Sequence, residues 1–99
     1  MKKYSIFISG PAYNDIANIT DYFILTVNDA ETGYRIADKI FDAIASLEEL
    51  PSRHNCFYKQ LRAFPISGYL IFYLVEEDTV SVARVLHQRQ EWERILSNL

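Results

Sequence analysis

The chain predicts an α+β fold of order β-α-α-β-β-β-α, with two N-terminal helices packed on a mainly antiparallel four-stranded sheet and a short C-terminal helix. Three observations carry this expectation. Apolar residues recur at helical spacing through the first half of the chain, as the buried face of an amphipathic helix requires. The unbroken apolar run Tyr69-Leu70-Ile71-Phe72-Tyr73-Leu74-Val75 is then followed, across an acidic turn, by a second, valine-rich run. That is the pattern of a hairpin whose first strand is central and covered on both faces. Helical spacing returns only at the end, in Trp92, Ile95, Leu96 and Leu99.

Each element has its own local reason. Lys3–Ser9 alternates Tyr4, Ile6 and Ile8 with Ser5, Phe7 and Ser9 and reads as the first strand, ended by Gly10-Pro11. Proline suits the first turn of a helix, where its missing N–H leaves no bond unmade. Ala12, Ile16, Ile19 and Phe23 then fall on one helical face. Asn28-Asp29-Ala30-Glu31 is a capping-box-like start for a second helix, whose side-chain oxygens satisfy otherwise orphan N–H groups. Its stripe is Ala37, Ile40, Phe41, Ile44 and Leu47, and it should stop at Leu50-Pro51, because proline cannot donate the next helical bond. Pro51–Phe57, containing His54 and Cys56, reads as a polar loop. Strand character runs from Tyr58 to Phe64, breaks at Pro65-Ile66-Ser67-Gly68, and resumes in Tyr69–Val75 and Thr79–Leu86. Glu91 and Glu93 stand where a helix dipole favours negative charge, opening a terminal helix expected to cover the far face of the central strand.

Ninety-nine residues suit one domain, residues 1–99, and a composition 49% hydrophobic and 14% aromatic excludes an intrinsically disordered chain. No apolar run approaches the ~20 residues that cross a bilayer. Met1-Lys2-Lys3 leads into a strand-like run, not a signal peptide, so no membrane partner and a cytoplasmic location are expected. Cys56 is the single cysteine, which excludes an intrachain disulfide and a thiolate zinc cluster. His54 and His87 stand in no metal-ligand spacing, and Gly10, Gly33 and Gly68 are too dispersed to cradle a phosphate. Neither metal nor cofactor is expected.

The net charge of −3 is unevenly spread. Residues 1–50 carry four basic and eight acidic side chains; residues 51–99 carry six basic, five of them arginine, and five acidic. Guanidinium forks suit a carboxylate or phosphate partner, although a solvated surface fits the count equally well. The segment Arg84-Val85-Leu86-His87-Gln88-Arg89-Gln90-Glu91-Trp92 brings Arg, His, Arg and Trp out of the hairpin within nine residues. Arg84 shares strand parity with Val80 and Val82, so it is either a structural arginine paired with an acid or a functional cation. Trp92 lies on the apolar stripe of the last helix, where packing accounts for it. Arg62 and Arg89 are the first candidates for partner contacts.

Taken in order, Pro11-Ala12, Asp15-Ile16, Ile19 and Tyr22; Ala37, Ile40, Ile44, Leu47 and Pro51; Arg62; the Tyr69–Tyr73 strand; and Arg84-Val85-Leu86-His87 with Arg89 and Trp92 resemble the ParE/RelE superfamily of toxins from bacterial type II toxin-antitoxin modules. The resemblance implies two helices on an antiparallel sheet, a cognate antitoxin held in a hetero-oligomer, and one of two targets. ParE-type members poison DNA gyrase; RelE-type members cut messenger RNA in the ribosomal A site. Cleavage by a neighbouring 2′-hydroxyl needs a base, an acid and cations around the crowded phosphate. His87, an imidazole with an ordinary pKa of about 6.5, can fill one proton role, with Arg62 and Arg84 as catalytic cations and Arg89 beside them.

The second proton carrier is the difficulty. Trp92 stands where RelE-like ribonucleases often carry Tyr, and its indole only donates; Gln88 stands where that branch often has a second basic residue. Tyr73 and Glu91 are the remaining substitutes. Net acidity also argues against docking in a cavity walled by RNA phosphates. The expected function is thus a ParE-like toxin that binds gyrase non-enzymatically, with a partner-binding set of Arg62, Arg84, Arg89 and Trp92 and an acidic antitoxin tail near the arginines. The alternatives are a metal-independent, ribosome-dependent endoribonuclease acting on messenger RNA, and a non-toxic member that only binds antitoxin.

Overall fold

The computed structural model describes residues 3–98. Strand β1 (Ser5–Ile8) leads into helix α1 (Gly10–Asp21), a π-turn (Tyr22–Thr26) and helix α2 (Ala30–Ser46). A 3-10 turn (Pro51–Arg53) precedes strands β2 (Cys56–Tyr58), β3 (Leu61–Ile66), β4 (Tyr69–Glu76) and β5 (Thr79–His87), and helix α3 (Trp92–Leu96) closes the order. The sheet runs β1-β5-β4-β3-β2, antiparallel throughout except for the parallel β1–β5 pair. The architecture is the α+β arrangement read from the sequence, with five strands in place of four. Among the described residues, no helix is long and apolar enough to cross a membrane.

The extra strand is β2, whose first two residues, Cys56 and Phe57, fall in the segment read as loop. It pairs with β3 only through Cys56–Arg62 and Tyr58–Leu61, across an irregularity, and so short a run has no alternation to detect. Lys59, at a left-handed φ of 54°, turns the chain between them. The expected break at Pro65 narrows to Ser67-Gly68, whose φ values of 52° and 86° make the primed turn favoured in two-residue hairpins. Pro65 stays in β3, paired with Leu70. Its neighbour Ala63 sends its N–H away from β4 to the Asn55 carbonyl, 3.3 Å distant, so the missing N–H of Pro65 faces the side that β2 has already left.

Helix boundaries also differ in instructive ways. The cap of α2 is Asp29, which accepts from the Thr32 N–H and hydroxyl, whereas Asn28 takes a left-handed φ of 59° before it. The helix ends at Ser46, five residues before Pro51. Pro51 disfavours helical geometry at Leu50, which turns left-handed at φ 49°. Arg53 then donates to the carbonyls of Ser46, Glu49 and Leu50 and to the Ser46 hydroxyl, filling the helix's orphan acceptors with a cation at the negative end of the dipole.

The central strand β4 divides the core into two layers. Ile71 and Tyr73 face the helices with Ala12, Ile16, Ile40, Ile44, Val80 and Val82. Leu70 and Phe72 face the opposite side with Leu61, Ala63, Leu86 and Leu96. Helix α3 covers that side through Trp92, Ile95 and Leu96; Leu99, the last residue of its expected stripe, lies outside the described residues. Phe41, expected on the inward stripe of α2, is 38% exposed and leans towards Tyr13 of α1, ring centroids 6.2 Å apart. The helices meet most closely at Gly33, where an added Cβ would sit 2.9 Å from Phe23 Cβ and 3.2 Å from the Thr20 carbonyl. Gly33→Ala should therefore destabilise the protein, by up to about 2 kcal/mol in denaturant unfolding, as an overpacking cost of about 1–3 kcal/mol is set against the ~1 kcal/mol that alanine gains in a helix.

Candidate functional site

Strand β1 pairs with β5 only as far as Val82, which leaves the β5 edge over residues 83–87, more than half of the strand, in need of partners. Three side chains supply them. Ser9, the N-cap of α1, accepts from the Ala12 N–H and donates from its hydroxyl to the Ala83 carbonyl at 2.8 Å. Asp15, nearly two turns on, accepts from the Val85 N–H at 2.9 Å. The Gln90 side-chain oxygen accepts from the His87 N–H at 2.7 Å. Helix α1 is thus fastened along β5 by polar groups aimed at unpaired backbone.

The same Asp15 carboxylate takes Arg84 in a two-pronged pair, Nε to Oδ2 at 2.7 Å and Nη2 to Oδ1 at 2.8 Å. These hydrogen bonds, chiefly, push the guanidinium above its ordinary value, against the smaller opposing effect of burial. The local cause is a β-bulge: Phe72 pairs with Arg84 and Tyr73 with Val82, so Ala83 is the extra residue. Simple alternation would put Arg84 on the face of Val80 and Val82. After the bulge it is Val85 that follows them into the core, and Arg84 turns to α1. Of the two roles open to Arg84 in the sequence, its geometry is that of an arginine paired with an acid.

His87 ends β5 with its ring edge-on to Tyr69, centroids 5.3 Å apart. Its Nδ1 accepts from the Arg89 N–H at 3.1 Å, so the neutral ring carries its proton on Nε2 and only that atom is available to a ligand. Around it opens a cleft of about 510 Å³, walled by Asp15, Asn18, Tyr22, Tyr69 and Gln90 among others. Burial, then the neighbouring Tyr22, hold the Tyr69 phenol above its usual range. Arg89 is exposed in the turn beside this cleft.

The other candidates lie elsewhere. Arg62 donates to the carbonyls of Ser52 and His54 at 3.2 and 2.7 Å, and Tyr73 donates its buried hydroxyl to Pro51 at 2.6 Å. Together they hold the 51–54 turn. Arg62 pairs with Tyr73 and His87 with Tyr69, positions four residues apart on β4 and so roughly 13 Å along it. Trp92 packs on Phe57, Tyr58 and Phe72 beneath the sheet, centroids 4.6, 5.8 and 6.3 Å away. Glu91 is exposed and reaches Arg94 at 3.4 Å. No group of three or more His, Cys, Asp or Glu side chains among the described residues could hold a metal ion.

Sequence reading missed the fastening by Ser9 and Asp15 and the groove between the helices. That groove, about 430 Å³, is lined by Tyr13, Tyr34 and Phe41, which are 53%, 57% and 38% exposed. The available signal was Tyr13 and Tyr34 standing off the predicted core stripes.

A helix hairpin fastened to a mixed sheet, with arginines concentrated at the hairpin exit, places this chain in the class of ParE/RelE superfamily toxins. The family model for the ParE toxin of the type II toxin-antitoxin system parDE matches residues 6–92, and the chain belongs to that family. It is the toxin of a type II toxin-antitoxin module. Among solved structures it is similar to a chain of the chromosomal ParDE system from P. aeruginosa, at TM-score 0.73 and 14% identity, covering 86% of this chain and 96% of that one. It is also similar to a chain of the RelBE2 toxin-antitoxin complex from Mycobacterium tuberculosis, at TM-score 0.66 and 18% identity, covering 91% and 97%. No curated protein matches it. Both of these structural neighbours come from toxin-antitoxin systems.

Two consequences can be measured. Asp15→Ala leaves Arg84 unpaired and the Val85 N–H unbonded; it should cost about 3 kcal/mol in denaturant unfolding, far more than a surface substitution. Burial, then the Arg53 charge, hold His54 below its ordinary 6.5, consistent with a buried Nε2 that has no partner and a ring stacked 4.0 Å from Phe64. Below about pH 6.5 the unfolded chain therefore binds more protons than the folded one, so stability falls as pH drops through that window. His54→Phe should flatten this part of the pH dependence of the denaturant midpoint; an unchanged slope would assign it to another group.

Proposed function

We propose that this toxin arrests growth by binding DNA gyrase as a protein partner, without proton-transfer chemistry of its own, and that a cognate antitoxin neutralises it. The observation that carries this reading is that Tyr73, Arg84 and Arg62 are engaged in holding the fold and that His87 keeps only Nε2 open to the cleft. His87 has its Nδ1 on a backbone N–H. Tyr73 is buried on the Pro51 carbonyl, and burial raises its phenol above the usual range. Arg84 is tied to Asp15 and Arg62 to the 51–54 turn. Cleavage of RNA requires two proton carriers across one phosphate, whereas recognition of a protein requires only surface. The match to the ParE family model supports the same branch.

Two surfaces suit the antitoxin. The groove of Tyr13, Tyr34 and Phe41 offers an apolar seat for a helix. Exposed Arg89, at the mouth of the His87 cleft, is the arginine best placed for an acidic tail, with Arg84 and Arg62 acting through the shape they maintain. The test is to incubate the purified chain with gyrase, ATP and supercoiled plasmid and to look, after denaturation, for enzyme-linked cleaved DNA. Accumulation that disappears on adding the antitoxin is the expected result. No accumulation from folded, growth-inhibiting protein would instead favour messenger RNA cleavage on the ribosome, with the His87 cleft as its centre.

A further inference from the structure

Helix α3 covers only part of the back face of the sheet. Its five residues span about 7–8 Å, whereas five strands at about 4.8 Å spacing present a face roughly 19 Å across. Trp92 and Leu96 roof the end of the sheet around Leu70, Phe72 and Leu86. Towards the β4–β5 turn, register builds a second row on the same face. Phe7 stands beside Ser81, Ser81 beside Leu74, and Leu61 beside Tyr58. Phe7 belongs to this face because its neighbours Ile6 and Ile8 point into the helix-side core, and it is 60% exposed.

Between this row and Leu96 lies a largely apolar groove of about 540 Å³, lined by Ser9, Tyr58, Leu61, Leu74 and Leu96, with one cation, Lys59, at its β2–β3 end. The next row out is acidic. Glu76 stands beside Thr79 and Thr79 beside Ser5, and Glu77 and Asp78 share their concavity. An apolar strip bordered along one side by three carboxylates is a directional surface.

We propose that this groove docks an amphipathic helix of a protein partner, about 13 residues long, with leucine-like side chains against Phe7, Leu74 and Leu61 and Lys or Arg on the flank facing Glu76, Glu77 and Asp78. The length follows from a face roughly 19 Å across at a rise of 1.5 Å per residue. Charge decides the occupant. A second copy would bring another acidic turn against this one, and nucleic acid or an anionic membrane would meet the same repulsion. A helix with a basic flank complements both the apolar row and the carboxylates, and would lie beside α3 to complete the layer under the sheet. The surface is separate from the groove between α1 and α2, which lies on the other face, and the proposal does not depend on gyrase being the target.

The test uses the full chain and two fluorescein-labelled peptides of about 14 residues, each with leucines at helical spacing on one face; one carries lysines along a single flank and its twin carries glutamates there. By fluorescence anisotropy the lysine peptide should bind at least about tenfold more tightly than its twin. Phe7→Glu and Glu76→Lys, both at exposed positions, should each weaken it about tenfold, with folding checked by thermal unfolding. Tyr34→Ala, on the opposite face, should leave it unchanged. Equal binding of the twins, binding by neither, or weakening by Tyr34→Ala alone would overturn the proposal. So would sedimentation showing dimers of the chain alone that Phe7→Glu disperses, since the groove would then belong to a second copy.

Discussion

The Asp15 carboxylate is the joint on which the two halves of the molecule meet. It accepts three hydrogen bonds, two from the Arg84 fork and one from the Val85 backbone, and with its side chain only 10% exposed it does so largely out of water. A charge in such a place persists only when it is fully paired. Pairing it fixes the rotation of α1 over β5, and that rotation sets what the helix presents on each side. Ala12 and Ile16 enter the core, Tyr13 stays outside to line the groove with α2, and Asn18 and Tyr22 wall the cleft in front of His87. The bulge at Ala83 is part of the same device, because it puts Val85 and not Arg84 after Val80 and Val82 among the core residues under the helices.

The distribution of engaged and exposed side chains frames the functional account. Several polar groups tie one element to the next: Arg53 and Arg62 on loop carbonyls, Tyr73 on Pro51, Arg84 on Asp15. What remains at the surface is an aromatic groove between the helices, the cleft in front of His87, a half-covered apolar strip under the sheet with an acidic border, and exposed Arg89 at the β5 exit. Faces of that kind suit protein recognition, where buried aromatics anchor and rim charges select the partner. They also agree with net acidity, which would hinder a protein that works against RNA phosphates.

Much of the architecture was legible because periodicity reports burial. The unbroken run of β4 announced a strand buried on both sides, and the stripe of Trp92, Ile95 and Leu96 announced its cover. What could not be read depends on geometry across the chain. Strand β2 is too short to alternate, and the bulge changes the meaning of every parity argument after Ala83. The true end of α2 is decided by Arg53 folding back from beyond the proline. For the site, the residues at the hairpin exit form a cluster in sequence that the fold disperses: Arg62 and His87 sit roughly 13 Å apart along β4 and Trp92 lies on the opposite face. The aromatic groove was hidden because Phe41 fits an inward stripe as well as an outward one; only the position of α1 decides between them.

The claim that this toxin acts by contact and not by proton transfer is tested most directly at His87. In His87→Asn the side-chain oxygen can still accept the Arg89 N–H, so the turn is kept while the titrating imidazole is removed. The measurement is growth arrest on induction at matched protein levels. Arrest equal to that of the unaltered chain is what the account predicts; loss of arrest from a variant that unfolds at the same denaturant concentration would contradict it and make the imidazole part of the chemistry.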